Sequence, residues 1–137
     1  MGLIYLDACI VIQVHEGSPE RAQPILERME AQGEGVRFAV SPLVKLECLT
    51  GPMRSGNLVL QHSYEALLAR FLLLDMSEAV FLQAASLRAR FGLKTPDALH
   101  LACAQHHGCT ALWTNDERLA GAAHGLAVTI GPHAGES

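Results

Sequence analysis

Five short apolar runs, separated by segments patterned as helices, constrain this chain more than any other feature. They lie at residues 3–6 (LIYL), 36–40 (VRFAV), 72–75 (LLLD), 110–114 (TALWT) and 126–130 (LAVTI). Each has the length of a buried strand, although the third could also be absorbed by the helix before it. Between them, Ser18-Pro19-Glu20, Ser41-Pro42, Ser77-Glu78 and Thr95-Pro96 read as helix starts. A hydroxyl caps the first turn, and a proline at its first position forfeits no hydrogen bond. Glycines 33, 92 and 108 read as stops. The spacing predicts helices over 8–15, 18–32, from 41 onward, 58–71, 77–91 and 95–108, and a short one near 115–123. The stretch TGPMRSGN, residues 50–57, predicts a break. Strands alternating with helices give an α/β fold with a central, mostly parallel sheet flanked by helices. Ligands in such sheets bind beyond the carboxyl ends of the strands.

The chain has 137 residues, which predicts one domain, residues 1–131, with a loose tail at 132–137. Half the residues are hydrophobic, a composition that buries a core and argues against disorder. A net charge of −4 argues against a broad basic surface for nucleic acid. It leaves room for an enzyme acting on nucleic acid, because bound cations can supply the positive charge. The first residues lack the basic flank of a secretion signal, and no run approaches the ~18 apolar residues of a membrane span. Cys9, Cys48, Cys103 and Cys109 form no CxxC pair. They read as free thiols, and the expected location is the cytoplasm.

The acids carry the functional signal. On the helix opened by Ser41, the residues Leu43, Val44, Leu46 and Cys48 share a broad apolar arc in projection, and Glu47 falls within it. Asp7 follows the first strand and Asp116 the fourth, so both sit where the fold places its sites. Asp97 lies in the first turn of an apolar helix. Taken singly, Asp7 and Asp116 could be helix caps, Asp97 a partner of the helix dipole and Glu47 a snorkelling or ion-paired side chain. Taken together, Asp7, Glu47, Asp97 and Asp116 predict a carboxylate cluster. Left alone, such a cluster repels itself and raises its own pKa values. Hard oxygen donors select Mg²⁺ or Mn²⁺, which activate water and stabilise phosphoryl charge.

Four segments containing these acids, YLDACI, SPLVKLECL, KTPDALHLACA and LWTNDERL, occur in order along the chain. In this the sequence resembles the PIN-domain ribonucleases, and within them the VapC-like toxins of bacterial and archaeal toxin–antitoxin pairs. The PDALHLA core is the most specific piece. Cys9 stands where the family often has a small polar residue, and Leu119 where an aromatic is common. The resemblance implies a three-layer α/β/α fold and metal-dependent hydrolysis of an RNA phosphodiester by an activated water. Asp7, Glu47, Asp97 and Asp116 would then hold or orient Mg²⁺ or Mn²⁺, and Thr114 and Asn115 would fix the fourth acid. It further implies a homodimer and a cognate antitoxin. Two alternatives are a PIN nuclease of RNA processing without an antitoxin, and a non-catalytic RNA-binding scaffold.

Other features fit less specific roles. Arg88, Arg90 and Lys94 could steer an RNA backbone or line a solvated helix face. His100 is a core histidine or a neighbour of the metal site. Cys103, His106, His107 and Cys109 match no common zinc spacing. Glycine loops that cradle phosphate, and the GxSxG elbow of serine hydrolases, are absent from the sequence.

Overall fold

The computed structural model describes residues 2–123 and 125–129. The chain runs β1 (Gly2–Leu6), α1 (Ala8–Glu16), α2 (Pro19–Glu30), β2 (Val36–Val40), α3 (Pro42–Ser55) and α4 (Leu58–Leu68). It continues through β3 (Leu72–Leu73), α5 (Glu78–Phe91), α6 (Thr95–His106), β4 (Ala111–Thr114), α7 (Glu117–Ala122) and β5 (Ala127–Thr129). The strands form one sheet in the order β3-β2-β1-β4-β5, every pair parallel. Helices flank it in the expected α/β/α arrangement. Ile130 and the tail expected at 132–137 lie outside the described residues.

The strand order positions the site. The chain lays down β1, β2 and β3 to one side, then crosses back to place β4 and β5 on the other. The reversal point is the β1–β4 junction, where Leu6 pairs with Trp113 and the Asp7 N–H donates to the Trp113 carbonyl at 3.0 Å. A crevice outside that junction is the usual ligand position in such a sheet. Asp7 and Thr114, each the next residue past or at the strand end, meet there.

Three local expectations are corrected. The break predicted at 50–57 is confined to Gly56 and Asn57. Helix α3 continues through Pro52, which is buried, so packing offsets the backbone bond that proline lacks. Gly56 then turns the chain at φ 69°, and the Asn57 side chain accepts from the Leu60 N–H at 3.1 Å to open α4. Helix α6 takes in Thr95 as its first residue, with Lys94 rather than Thr95 at the cap. Pro96 still falls in the first turn, where the backbone N–H has no partner inside the helix. Finally, Leu46 is 61% exposed, so the buried stripe of α3 is Val44, Cys48 and Pro52. Glu47 sits half-buried on the flank of that stripe rather than in its middle.

The core is built on Tyr5, Leu6, Ile10, Leu101, Leu112 and Leu119, all essentially inaccessible. Within the leucine-rich stretch 59–74, Tyr64, Leu68 and Leu74 are buried, whereas Val59 is exposed. The four cysteines are free thiols. Burial pushes Cys9, Cys48 and Cys103 up to about 12 and Cys109 to about 11. None is a thiolate nucleophile near neutral pH.

Candidate active site

Asp7 occupies the cap position of α1, yet its side chain makes no cap hydrogen bond. Its Oδ2 instead accepts from the Thr114 hydroxyl at 2.8 Å, in a buried setting. The same hydroxyl oxygen accepts from the Asp116 N–H at 3.0 Å. Thr114 thus ties the end of β4 to both acids, and a charge-assisted bond of this kind contributes about 1.5–3 kcal/mol. Asp116 does cap a helix: its Oδ1 accepts from the Arg118 N–H at 2.9 Å and more weakly from the Leu119 N–H at 3.5 Å. Leu119, where an aromatic was the common choice, is fully buried. The Asn115 side chain is exposed, and it is the Asn115 backbone that meets the Cys9 thiol.

Glu47, on α3, meets His100, on α6. The His100 Nε2 lies 2.6 Å from Glu47 Oε1 and 3.7 Å from Asp7 Oδ1. Its Nδ1 lies 2.6 Å from the Tyr5 hydroxyl, which in turn lies 2.7 Å from Ser41 Oγ. Asp7, Glu47 and His100 therefore each bring one atom within 4.8 Å of the others. His100 is both a packed histidine and a neighbour of the acids. Its signal in the sequence was its place three residues after Asp97, on the same face of α6.

Asp97 and Asp116 stand outside this tight trio, but Asp97 feels the charges of Asp116, Asp7 and His100. Burial first, then the charges of Asp116 and Asp7, raise the Asp97 carboxyl above its ordinary value, against the opposing pull of His100 and Lys94. The folded chain therefore binds the Asp97 proton more tightly than the unfolded chain. Stability falls as pH rises from the ordinary carboxylate value through the raised one, and the penalty is complete above it. Asp97→Asn is accordingly expected to raise the melting temperature of chelator-treated protein at pH 7, with a gain that shrinks on acidification. Melting curves from pH 4 to 8 check this; an equal or lower melting temperature at pH 7 would refute the repulsion.

A cavity of about 300 Å³ opens beside Asp97, and Lys94 and Arg118 are in its wall. Arg118 had no distinguishing mark in the sequence beyond following Asp116. The other two basic residues considered for RNA are engaged at the C-terminal end of α5: Arg88 donates to the carbonyl of Leu93, just past the helix, at 3.1 Å, and Arg90 lies over the Phe91 ring. His107 pairs with Asp75, away from the four acids.

The model of the PIN domain matches residues 4–125 of this chain. The chain belongs to the PIN-domain family. No curated protein matches it. Among solved structures, this PIN domain is similar to a toxin–antitoxin complex from Klebsiella pneumoniae at 24% identity and TM-score 0.75, covering 92% of this chain and 96% of that one. It is similar to VapBC2 from Rickettsia felis bound to a promoter DNA fragment, at 17% identity and TM-score 0.77, covering 93% and 98%. It is also similar to VapC20 of Mycobacterium tuberculosis, a sarcin–ricin loop cleaving toxin, at 16% identity and TM-score 0.71, covering 87% and 94%. At these identities the likenesses establish the fold. No helix among the described residues is long and apolar enough to cross a membrane.

Proposed function

We propose that this PIN domain is a divalent-metal-dependent endoribonuclease, the toxin of a toxin–antitoxin pair. The observation that carries this reading is the convergence of Asp7 and Glu47 with His100 at the β1–β4 junction, with Asp97 and Asp116 bearing on the same place. The donor set fits a hard cation: carboxylates on several elements that repel one another when none is bound. Asp7, Glu47, Asp97 and Asp116 would hold Mg²⁺ or Mn²⁺, which supplies counter-charge and an acidified water for attack on phosphorus. Thr114 keeps the Asp7 carboxylate aimed by donating to Oδ2. Lys94 and Arg118 stand where the flanking phosphates of an RNA strand would pass, and their charge draws that strand towards the acids. The toxin reading takes its support from the Klebsiella and Rickettsia complexes and from VapC20. By the same likeness the partner is a cognate antitoxin; the resemblance to the family adds a second copy of the chain.

The test is cleavage of an RNA pool by purified protein in Mg²⁺, Mn²⁺ or EDTA, followed by melting in the same buffers. Cleavage is expected with either metal and none in EDTA. Free Mn²⁺ at a hundred times its Kd is expected to stabilise the fold by about 2.7 kcal/mol. Cleavage that survives EDTA, or a melting temperature that ignores Mn²⁺, would sink the reading.

A further inference from the structure

We propose that His100 is a positioning residue: it donates its Nε2 proton to Glu47 and leaves metal ligation to the carboxylates. The inference rests on the metal-site reading for its consequence, while its direction comes from the hydrogen-bond chain beneath the site.

That chain can be followed from an atom whose role is fixed. The Val44 N–H is an obligate donor and points at Ser41 Oγ at 3.4 Å. The other contact of that hydroxyl among the described residues is Tyr5, at 2.7 Å. Ser41 and Tyr5 are both fully buried, so bulk water does not compete for either hydroxyl. The Ser41 proton therefore goes to the Tyr5 oxygen. The Tyr5 proton then goes to His100 Nδ1, 2.6 Å away. A tyrosine phenol keeps its proton at neutral pH and so has one to donate. An Nδ1 that accepts carries no hydrogen, and a neutral imidazole with a bare Nδ1 carries its hydrogen on Nε2. Nε2 faces Glu47 Oε1 at 2.6 Å.

The opposite polarity fails at the far end. If Nδ1 carried a proton, Tyr5 would have to accept it and donate to Ser41. Ser41 Oγ would then receive both the Tyr5 proton and the Val44 N–H, and its own buried proton would have no acceptor among the described residues. Every member is satisfied in one direction only.

Two consequences follow. With its hydrogen on Nε2, His100 has no lone pair facing the acids, so it is not a ligand despite lying within reach of one. The metal set is then all oxygen, which suits Mg²⁺ or Mn²⁺ and disfavours zinc. Glu47 is also fixed: one oxygen is pinned by His100, and the other is left for a cation or its water. This is the histidine–carboxylate support of metal sites with the roles exchanged, the carboxylate binding and the imidazole orienting.

The tautomer is read directly from long-range ¹H–¹⁵N spectra of histidine-labelled protein, with and without Mg²⁺. The expected result is a neutral His100 with protonated Nε2 and bare Nδ1, unchanged by Mg²⁺. A protonated Nδ1, an imidazolium, or loss of the Nε2 proton on adding Mg²⁺ overturns the proposal. Mn²⁺ affinity, measured by electron paramagnetic resonance, provides the second arm. His100→Ala is expected to weaken it about 10–100-fold, as loss of an orienting partner does. His100→Gln, whose amide N–H can still reach Glu47, is expected to restore most of it. A Gln variant as weak as the Ala variant overturns the assignment. If the Ala variant does not fold, the wild-type tautomer and the Gln variant decide. Both readouts are independent of cleavage: wild-type protein that binds Mn²⁺ but cuts no RNA would sink the ribonuclease reading and leave the role of His100 standing.

Discussion

Asp7→Asn is expected to lower single-turnover RNA cleavage in Mg²⁺ about a thousandfold, with the fold intact. Metal-assisted stabilisation of a phosphoryl transition state is worth several kcal/mol, and ~4 kcal/mol corresponds to three factors of ten in rate. The substitution is close to isosteric. The Asp7 N–H still pairs with the Trp113 carbonyl, and an asparagine carbonyl can still accept from the Thr114 hydroxyl. That orientation turns the amide NH₂ towards His100 and Glu47, where a donor and a neutral group replace an anion. One of the two charges that help raise Asp97 is also removed, so stability in the absence of metal should hold or rise. Cleavage rates with melting curves on the same preparations check both halves. Cleavage within tenfold of wild type would place the chemistry elsewhere in the molecule.

Leu101→Ala is expected to cost about 3 kcal/mol of stability, within the range for a leucine deleted from a packed interior. Leu101 is fully inaccessible, and α6 around it is buried on nearly every side: Ala98, Leu99, His100, Ala102, Cys103 and Ala104 are all in the interior. A helix buried all round has no solvent face towards which to relax, so the cavity should stay open. Because α6 also supports Asp97 and His100, loosened packing should weaken Mn²⁺ binding as well. Urea titration and Mn²⁺ binding on the variant measure the two effects. A loss below about 1 kcal/mol would show that the site collapses, contrary to this packing.

The α/β class was legible because its signals are local. An apolar run such as LIYL and a cap such as Ser41-Pro42 need no distant partner to be read. Asp7 and Asp116 could be placed at strand ends for the same reason. That they face a common crevice could not be read from the runs, because β1 adjoining β4 is a property of strand order. The path of α3 through Pro52 was hidden likewise, since burial of the ring overrides a propensity that alone predicts a break. His100 is the instructive case. Its spacing from Asp97 was visible, but its partner Glu47 lies 53 residues away and on another helix. No periodicity spans that distance. Arg118, exposed and without pattern, offered nothing to read.

The last consequence concerns timing. The bond between Thr114 and Asp7 joins residues 107 positions apart, across neighbouring central strands. During synthesis, Asp7, Glu47, Asp97 and His100 all emerge before β4 exists to complete the sheet beside β1. A nascent chain therefore carries most of the acids but lacks the strand that orients the first of them and the turn after it that bears the last. On the ribonuclease reading proposed above, the set of four acids is complete only once the segment carrying β4 and Asp116 has joined the sheet beside β1.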